Sequence, residues 1–248
     1  MARRRFFVDV VRNGEAIVEG DDAQHLTRVL RVEPGELYEI SDNVSAYLAE
    51  ITEAHKRRVV FSLREPVAPK PPAVRLTLCA ALVKFDHFEW MIEKATELGV
   101  ARIAPFRAAR SERGLDQAAG KRVDRWRRIA LEASQQSRRD HLPVIDESVD
   151  FEDVLMIEAR RRYACDEEPG AAPFLAAIPP ARSTEESVAI LIGPEGGWTA
   201  SERELFLDRG WTAVSLGNQV LRAETAAMAA LAVAGAAWQC ASPPVIGS

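Results

Sequence analysis

Long apolar runs are missing from this sequence. No stretch approaches the roughly 18–20 residues that cross a bilayer, so a membrane-spanning protein is not expected. Cysteine is scarce. Cys79, Cys165 and Cys240 lie far apart with no C-x-x-C spacing, which excludes a zinc ribbon and argues against a disulfide framework. The histidines at 55, 87 and 141 show no ligand spacing, and no metal is expected. There is no Walker A motif, no G-x-G-x-x-G and no G-x-S-x-G. Nucleotide-phosphate, dinucleotide and serine-hydrolase chemistry therefore have no positive support. The basic start, Met1 to Arg5, is not followed by an apolar stretch. A secretory leader is not expected, and a reducing, cytoplasmic location fits best.

What is present is ordinary globular composition: 248 residues, 47% hydrophobic and 28% charged, enough for one or two domains. Net charge is −5, which argues weakly against a nucleic-acid partner. The distribution argues the other way. Arg107 to Arg139 carries ten Lys/Arg against four Asp/Glu, whereas Phe151 onward carries seven against thirteen. A basic zone is hidden in an acidic total, and it is either a solvated face or an RNA contact.

The chain divides near residue 70. The first part alternates short β-like runs with turns: Arg5–Val8, Glu36–Ser41 after the Pro34-Gly35 turn, Ala46–Ile51 and Arg58–Leu63. One short helix, Asp22–Arg31, interrupts them. The segment is too small for a βαβ fold, so a small barrel is its natural closure. Pro66, Pro69, Pro71 and Pro72 then form a stiff linker. The second part alternates strand and helix. Strands are expected at Val74–Leu82, Val100–Phe106, Tyr163–Cys165, Val188–Ile192 and Trp211–Leu216. Helices are expected at Asp86–Leu98 (with Asp86 and Glu89 as a capping box), Lys121–Arg138, Phe151–Arg161, Thr199–Gly210 (capped by Thr199 and Glu202) and Ala223–Gln239. The alternation implies an α/β layer with a largely parallel sheet.

Two glycine-bearing strand ends carry the chemistry. Gly193-Pro194-Glu195-Gly196-Gly197 follows an all-apolar strand and precedes a capped helix, where backbone amides can approach a ligand. Leu216-Gly217-Asn218-Gln219-Val220-Leu221-Arg222-Ala223-Glu224 follows the next strand. Arg222 is the only basic residue from Trp211 to the C-terminus, so it needs a partner: Glu224, another acid, or a ligand. Trp198 either shields the pocket or packs in the core.

Together these blocks resemble the RsmE-type ribosomal RNA uracil-N3 methyltransferases of the SPOUT superfamily. The likeness runs through Arg4-Arg5-Phe6-Phe7-Val8, His25-Leu26-Thr27-Arg28-Val29-Leu30-Arg31, Pro34-Gly35-Glu36, Glu93–Val100 and Gln136-Ser137. Gly193–Gly197 and Leu221–Ala226 complete it. It implies a PUA-like RNA-binding β-barrel over 1–70 and, over 73–248, an α/β methyltransferase domain tied in a deep trefoil knot. It also implies S-adenosylmethionine as cofactor, 16S ribosomal RNA or the small ribosomal subunit as partner, and a homodimer, with no membrane. By the resemblance, the cofactor contacts are Ile192, Gly193, Glu195, Gly196 and Gly197 on the first loop, and Leu216, Gly217, Val220 and Leu221 on the second. Arg222 and Glu224 are the catalytic candidates. Arg3, Arg4, Arg5, His25, Arg28, Arg31, Arg138 and Arg139 are the RNA-binding candidates. Two positions depart from the family pattern: Gln219 where arginine is common, and Arg138 where glycine is usual. Methylation of another RNA position, a ribose 2′-hydroxyl or a transfer RNA, and non-enzymatic RNA binding are the alternatives.

Overall fold

The computed structural model describes residues 4–183 and 186–240. The chain separates into two compact units, Met1–Pro71 with Ser134–Leu142, and Pro72–Ala133 with Pro143–Ser248. The segment 134–142, which begins with the last turn of a helix otherwise assigned to the second unit, therefore belongs with the first unit.

The first unit contains β1 (Arg5–Phe7), β2 (Val11–Arg12), β3 (Glu15–Glu19), α1 (Gly20–Arg28), β4 (Leu37–Ser41), β5 (Ala46–His55) and β6 (Arg58–Val67). The six strands form one sheet in the order β1-β4-β5-β6-β3-β2. Its two edges, β1 and β2, are separated by only Val8, Asp9 and Val10. Six flat strands would place the edges roughly 24 Å apart, but that connection reaches at most about 14 Å. The sheet must curl, and Phe6, Ala16, Ile40, Ala49, Ile51, Val59 and Phe61 fill its inside. Helix α1 starts earlier and stops earlier than its pattern suggests. Arg31 sits in the left-handed region at φ 54°, which no continuing helix allows.

The second unit contains β7 (Arg75–Ala81), α2 (Phe85–Glu97), β8 (Arg102–Arg107), α3 (Leu115–Ala119) and α4 (Val123–Ser137), the last entered through a 3₁₀ turn at Gly120–Arg122. There follow β9 (Val144–Ile145), β10 (Val149–Asp150), α5 (Phe151–Val154), β11 (Arg161–Cys165), β12 (Ala172–Pro173) and α6 (Phe174–Ala177). The unit continues with β13 (Ser187–Ile192), α7 (Ala200–Asp208), β14 (Thr212–Ser215) and α8 (Ala223–Gln239). All pairings in its sheet are parallel, in the order β10-β8-β7-β13-β11-β14-β12, with β9 alongside β8.

The all-apolar β13 is explained by burial on both faces. Val188, Ile190 and Ile192 enter one core with α2, α4 and α8, while Ala189 and Leu191 enter another with Phe151, Trp198 and Phe206. The second capping box forms as its residues dictate: the Thr199 side chain accepts from the Glu202 N–H, and Glu202 reaches back to the Thr199 N–H. The first does not form. Helix α2 begins at Phe85 behind Lys84 with no side-chain cap, a start that puts Asp86 and Glu89 inside the helix and off the capping positions; Glu89 pairs instead with Arg122 and Arg125 at 3.0 and 2.7 Å. The helix expected over 151–161 is only the single turn Phe151–Val154, since Arg161 already opens β11. Among the described residues, no helix is long and apolar enough to cross a membrane.

Candidate functional site

Parallel strands place all their carboxyl ends on one edge, and three neighbours, β13, β11 and β14, end around one cleft. It encloses about 570 Å³, its open mouth included. From β13 come Ile192, Gly193, Pro194, Gly197 and Trp198. From β14 come Ser215, Leu216, Gly217, Gln219 and Leu221, with Ala223 and Ala226 of α8. The end of β11 adds Cys165, Asp166 and Glu167. The sequence pointed to the first two strand ends and missed the third. The signal was available, since Tyr163–Cys165 was legible as a strand of the same parallel sheet.

Small residues are required here for steric reasons. A Cβ on Gly193 would come within 2.9 Å of the Trp198 ring. Gly217 lies at φ 128° with open space around its α-carbon, a conformation L side chains rarely adopt. Trp198 is both wall and core: it is 2% exposed and donates from Nε1 to the Cys165 carbonyl at 2.8 Å. Burial, with Asp166 adding to it, pushes the Cys165 thiol up to about 12, so no thiolate nucleophile stands in the cleft at neutral pH.

The electrostatics select the ligand. The cleft lining includes two carboxylates, Asp166 and Glu167, and no Lys, Arg or His. Asp166 is held by Arg203 at 2.8 and 3.1 Å. A phosphate is disfavoured there, whereas a ligand carrying positive charge on an apolar and amide-rich body fits. S-adenosylmethionine is such a ligand, with its sulfonium and ammonium groups.

Three of the expected cofactor contacts are not among the residues that line the cleft. Glu195 and Gly196 do not line the cleft, nor does Val220, which is 78% exposed. Gly196 turns away because its carbonyl accepts from Arg110 at 2.8 Å, and a Cβ there would meet Arg110 at 3.0 Å. Arg222 and Glu224 flank the lining residues Leu221 and Ala223 without lining the cleft themselves. They form no ion pair with each other among the described residues. Arg222 is exposed at the N-cap of α8. Glu224 instead faces His87 of α2, its Oε1 3.5 Å from Nδ1, and Glu195 Oε1 lies at the same distance. His87 carries no signal of its own in the sequence, because the three residues come from separate elements. They are nevertheless a group, among the described residues, whose ligand atoms lie close enough, within 4.8 Å, to hold a metal ion.

The RNA-binding candidates belong to the first unit. Arg3 lies outside the described residues. Arg4, His25, Arg28, Arg31 and Arg138 are exposed. Arg5 is corrected: it is 4% exposed, paired with Glu39 and Asp140, and also donates to the Arg139 carbonyl. It is a structural cation, buried and with its charge balanced by two carboxylates. Arg139 is half-buried and donates from Nε to the His141 carbonyl at 3.1 Å. Burial pushes its guanidinium down to about 10, against the pull of Asp140. In the basic zone, Arg107, Arg122, Arg125, Arg127 and Arg128 are all paired with carboxylates.

A family model described as an RNA methyltransferase domain matches residues 69–235, and one described as an RNA methyltransferase PUA domain matches 18–64. The chain is similar to the ribosomal RNA small subunit methyltransferase E of Mycobacterium tuberculosis, at 33% identity over 95% of this chain and 92% of that one. The Bacillus subtilis protein of the same name is 29% identical, over 92% and 94%. Of solved structures, the Neisseria gonorrhoeae protein of that name bound to S-adenosyl methionine superposes with a TM-score of 0.85 at 27% identity, covering 96% of this chain and 98% of that one. A putative methyltransferase from Legionella pneumophila with bound cofactor gives a TM-score of 0.85 at 26% identity, over 96% and 98%.

Proposed function

This chain belongs to the ribosomal RNA small subunit methyltransferase E family, and from that premise we propose that it methylates N3 of a uracil in 16S ribosomal RNA. It is an RNA methyltransferase that uses S-adenosylmethionine. The observation that carries the proposal is the cleft: glycine backbone, apolar walls and two carboxylates, with no cation in its lining, at the carboxyl ends of three parallel strands.

The cofactor supplies an electrophilic methyl group. The residues proposed to hold it are Ile192, Gly193, Gly197, Leu216, Gly217 and Leu221, through backbone groups and small side chains. Uracil N3 carries a weakly acidic proton, so its nitrogen becomes nucleophilic only as that proton leaves. The base must therefore be oriented and its growing negative charge stabilised on the flanking carbonyl oxygens. Arg222, exposed and with no side-chain hydrogen bond or ion pair among the described residues, is proposed for that role. Glu224 is proposed as the first proton acceptor. Arg4, His25, Arg28, Arg31 and Arg138 are proposed to meet the RNA backbone.

The barrel is proposed as the RNA-binding domain over 1–70 and the second domain, over 73–248, as the knotted catalytic one. Support for the trefoil knot is the strand order, in which the late strand β13 lies between β7 and β11. Support for a homodimer is α8, which combines nine alanines with partly exposed apolar positions. The free cysteines agree with a cytoplasmic location.

The test is transfer of labelled methyl to the small subunit or its RNA, followed by mass mapping of the nucleosides. N3-methyluridine is the expected product. Ribose methylation, or no transfer, refutes the reading.

A further inference from the structure

We propose that the N3 proton passes through Glu224 to His87, which relays it across its ring and out past Asp86 to solvent. The proposal rests on the reading of the acceptor as a weakly acidic N–H.

The geometry supplies the line. Glu224 Oε1 lies 3.5 Å from His87 Nδ1, and on the other side of the ring His87 Nε2 lies 3.8 Å from Asp86 Oδ2. Side-chain exposure rises along it, from 12% at Glu224 to 31% at His87 and 78% at Asp86. An imidazole can take a proton at one nitrogen while giving one up at the other. His87 Nδ1 and Glu224 Oε2 are buried atoms without a hydrogen-bond partner, so neither is committed elsewhere. The gaps are longer than hydrogen bonds, and a water or a small rotation closes each. Catalytic contacts commonly tighten in this way when substrate arrives. Glu195 Oε1, 3.5 Å from the same Nδ1, is the other carboxylate facing the ring. Among the described residues, no Lys or Arg pairs with Glu195 or Glu224, which leaves His87 as the one basic group at both.

The balance is simple. The N3–H bond breaks and its electron pair stays on nitrogen. That nitrogen bonds to the methyl carbon as the carbon–sulfur bond breaks with its pair going to sulfur. The proton reaches a Glu224 oxygen and then His87 Nδ1, while the Nε2 proton departs to water beside Asp86. Exchange with solvent restores the starting tautomer. The positive charge that arrives on sulfur leaves as the proton. His87 touches neither base nor cofactor in this scheme; it acts through Glu224.

The test uses the full chain with small-subunit RNA. His87→Ala should slow single-turnover methyl transfer roughly 10²-fold, with cofactor affinity by calorimetry and melting temperature near wild type. Free imidazole should restore much of the rate. His87→Gln should stay slow without rescue. Without RNA or cofactor, the His87 ring resonances should move in Glu224→Gln and in Asp86→Asn. That measurement leaves His87 itself intact and tests the contact even if His87→Ala fails to fold; the slow, unrescued rate of His87→Gln then tests the relay. A normal rate in folded His87→Ala, no imidazole rescue, or an unmoved His87 signal in Glu224→Gln overturns the proposal. Activity abolished by EDTA and restored by manganese would make the trio a metal site and also overturn it. A wild-type chain that leaves uracil N3 unmethylated overturns the functional reading instead.

Discussion

Trp198 Nε1 donates to the Cys165 carbonyl at 2.8 Å, tying the loop after β13 to the end of β11 across the cleft. The same ring packs parallel to Phe106, with centroids 6.2 Å apart, so it cannot swing aside without disturbing the core. Gly193 faces it with no room for a methyl group. Gly193→Ala should therefore displace the indole, weaken S-adenosylmethionine binding at least about tenfold, and cost on the order of 1–3 kcal/mol of stability as overpacking does. Calorimetry and thermal unfolding check both. Gly196→Ala, directed at Arg110 and not at the cleft, should leave cofactor affinity much closer to wild type.

Arg5 anchors the segment 134–142 within the first unit. Its side chain is 5% accessible and pairs with Glu39 and Asp140. Burial works against the Asp140 charge. The Arg5 guanidinium and the Lys70 N–H outweigh it and hold the carboxyl below the ordinary range. The stabilisation is complete above the unfolded-state value and is lost as pH falls through the lowered one. The melting-temperature gap between wild type and Asp140→Asn should thus be widest above about pH 5 and shrink below about pH 4. Arg5→Ala leaves enclosed carboxylates unpaired and should cost about 3 kcal/mol. The folded variant should keep the wild-type salt dependence of RNA binding.

Arg138 lies at φ 55°, in the left-handed region, where glycine is unstrained. Arg138→Gly should stabilise the protein by up to about 1 kcal/mol while weakening RNA binding. Thermal unfolding beside an RNA titration reads both effects. A lower melting temperature would show that the arginine contributes more than its strain costs.

Legibility followed the range of the interaction. Helix α8 and the Thr199–Glu202 capping box were readable to the residue because both are local patterns. The all-apolar run at β13 disclosed two-sided burial without naming what covers it. Helix bounds slipped locally, at α1 and over 151–161, but the failures that bear on partners are long-range. Glu89 reads as half of a capping box, but α2 starts earlier, at Phe85, and the Glu89 carboxylate goes to Arg122 and Arg125, 33 and 36 residues away. Arg5 looks like a basic tail until Asp140 arrives from 135 residues along the chain. At the site, glycine turns marked two strand ends, but the third is an acidic loop with no motif. His87 has no signal in its own helix, because its partners are supplied by two other elements.

Arg28 and Arg31 are exposed at the end of α1 and just beyond it, with no ion pair among the described residues. Phosphate contacts release counterions, so replacing each by alanine should flatten the plot of log affinity against log salt by about 0.7 for single-stranded RNA. Cofactor affinity should not change. An unaltered slope in the double variant would move the RNA surface elsewhere in the barrel.

Arg222 separates a chemical role from a structural one. A pair with Glu224 would have made it a strut for the start of α8, and its loss would then appear as a lower melting temperature. No such pair forms. Arg222 is exposed, whereas Glu224 turns toward His87. Arg222→Ala should therefore leave thermal unfolding and cofactor binding close to wild type. Its guanidinium stays protonated and cannot readily act as a base. It can donate to a uracil oxygen as negative charge grows there, and loss of one such preorganised donor costs on the order of 10²–10³ in rate, or roughly 3–4 kcal/mol. Arg222→Lys keeps the charge without the planar fork, so its rate should fall between the two. Single-turnover methyl transfer measured with saturating cofactor and RNA isolates the step. If the alanine variant is folded and transfers methyl at the normal rate, Arg222 has no part in the chemistry, and the donor to the uracil oxygen must come from another group beside the cleft.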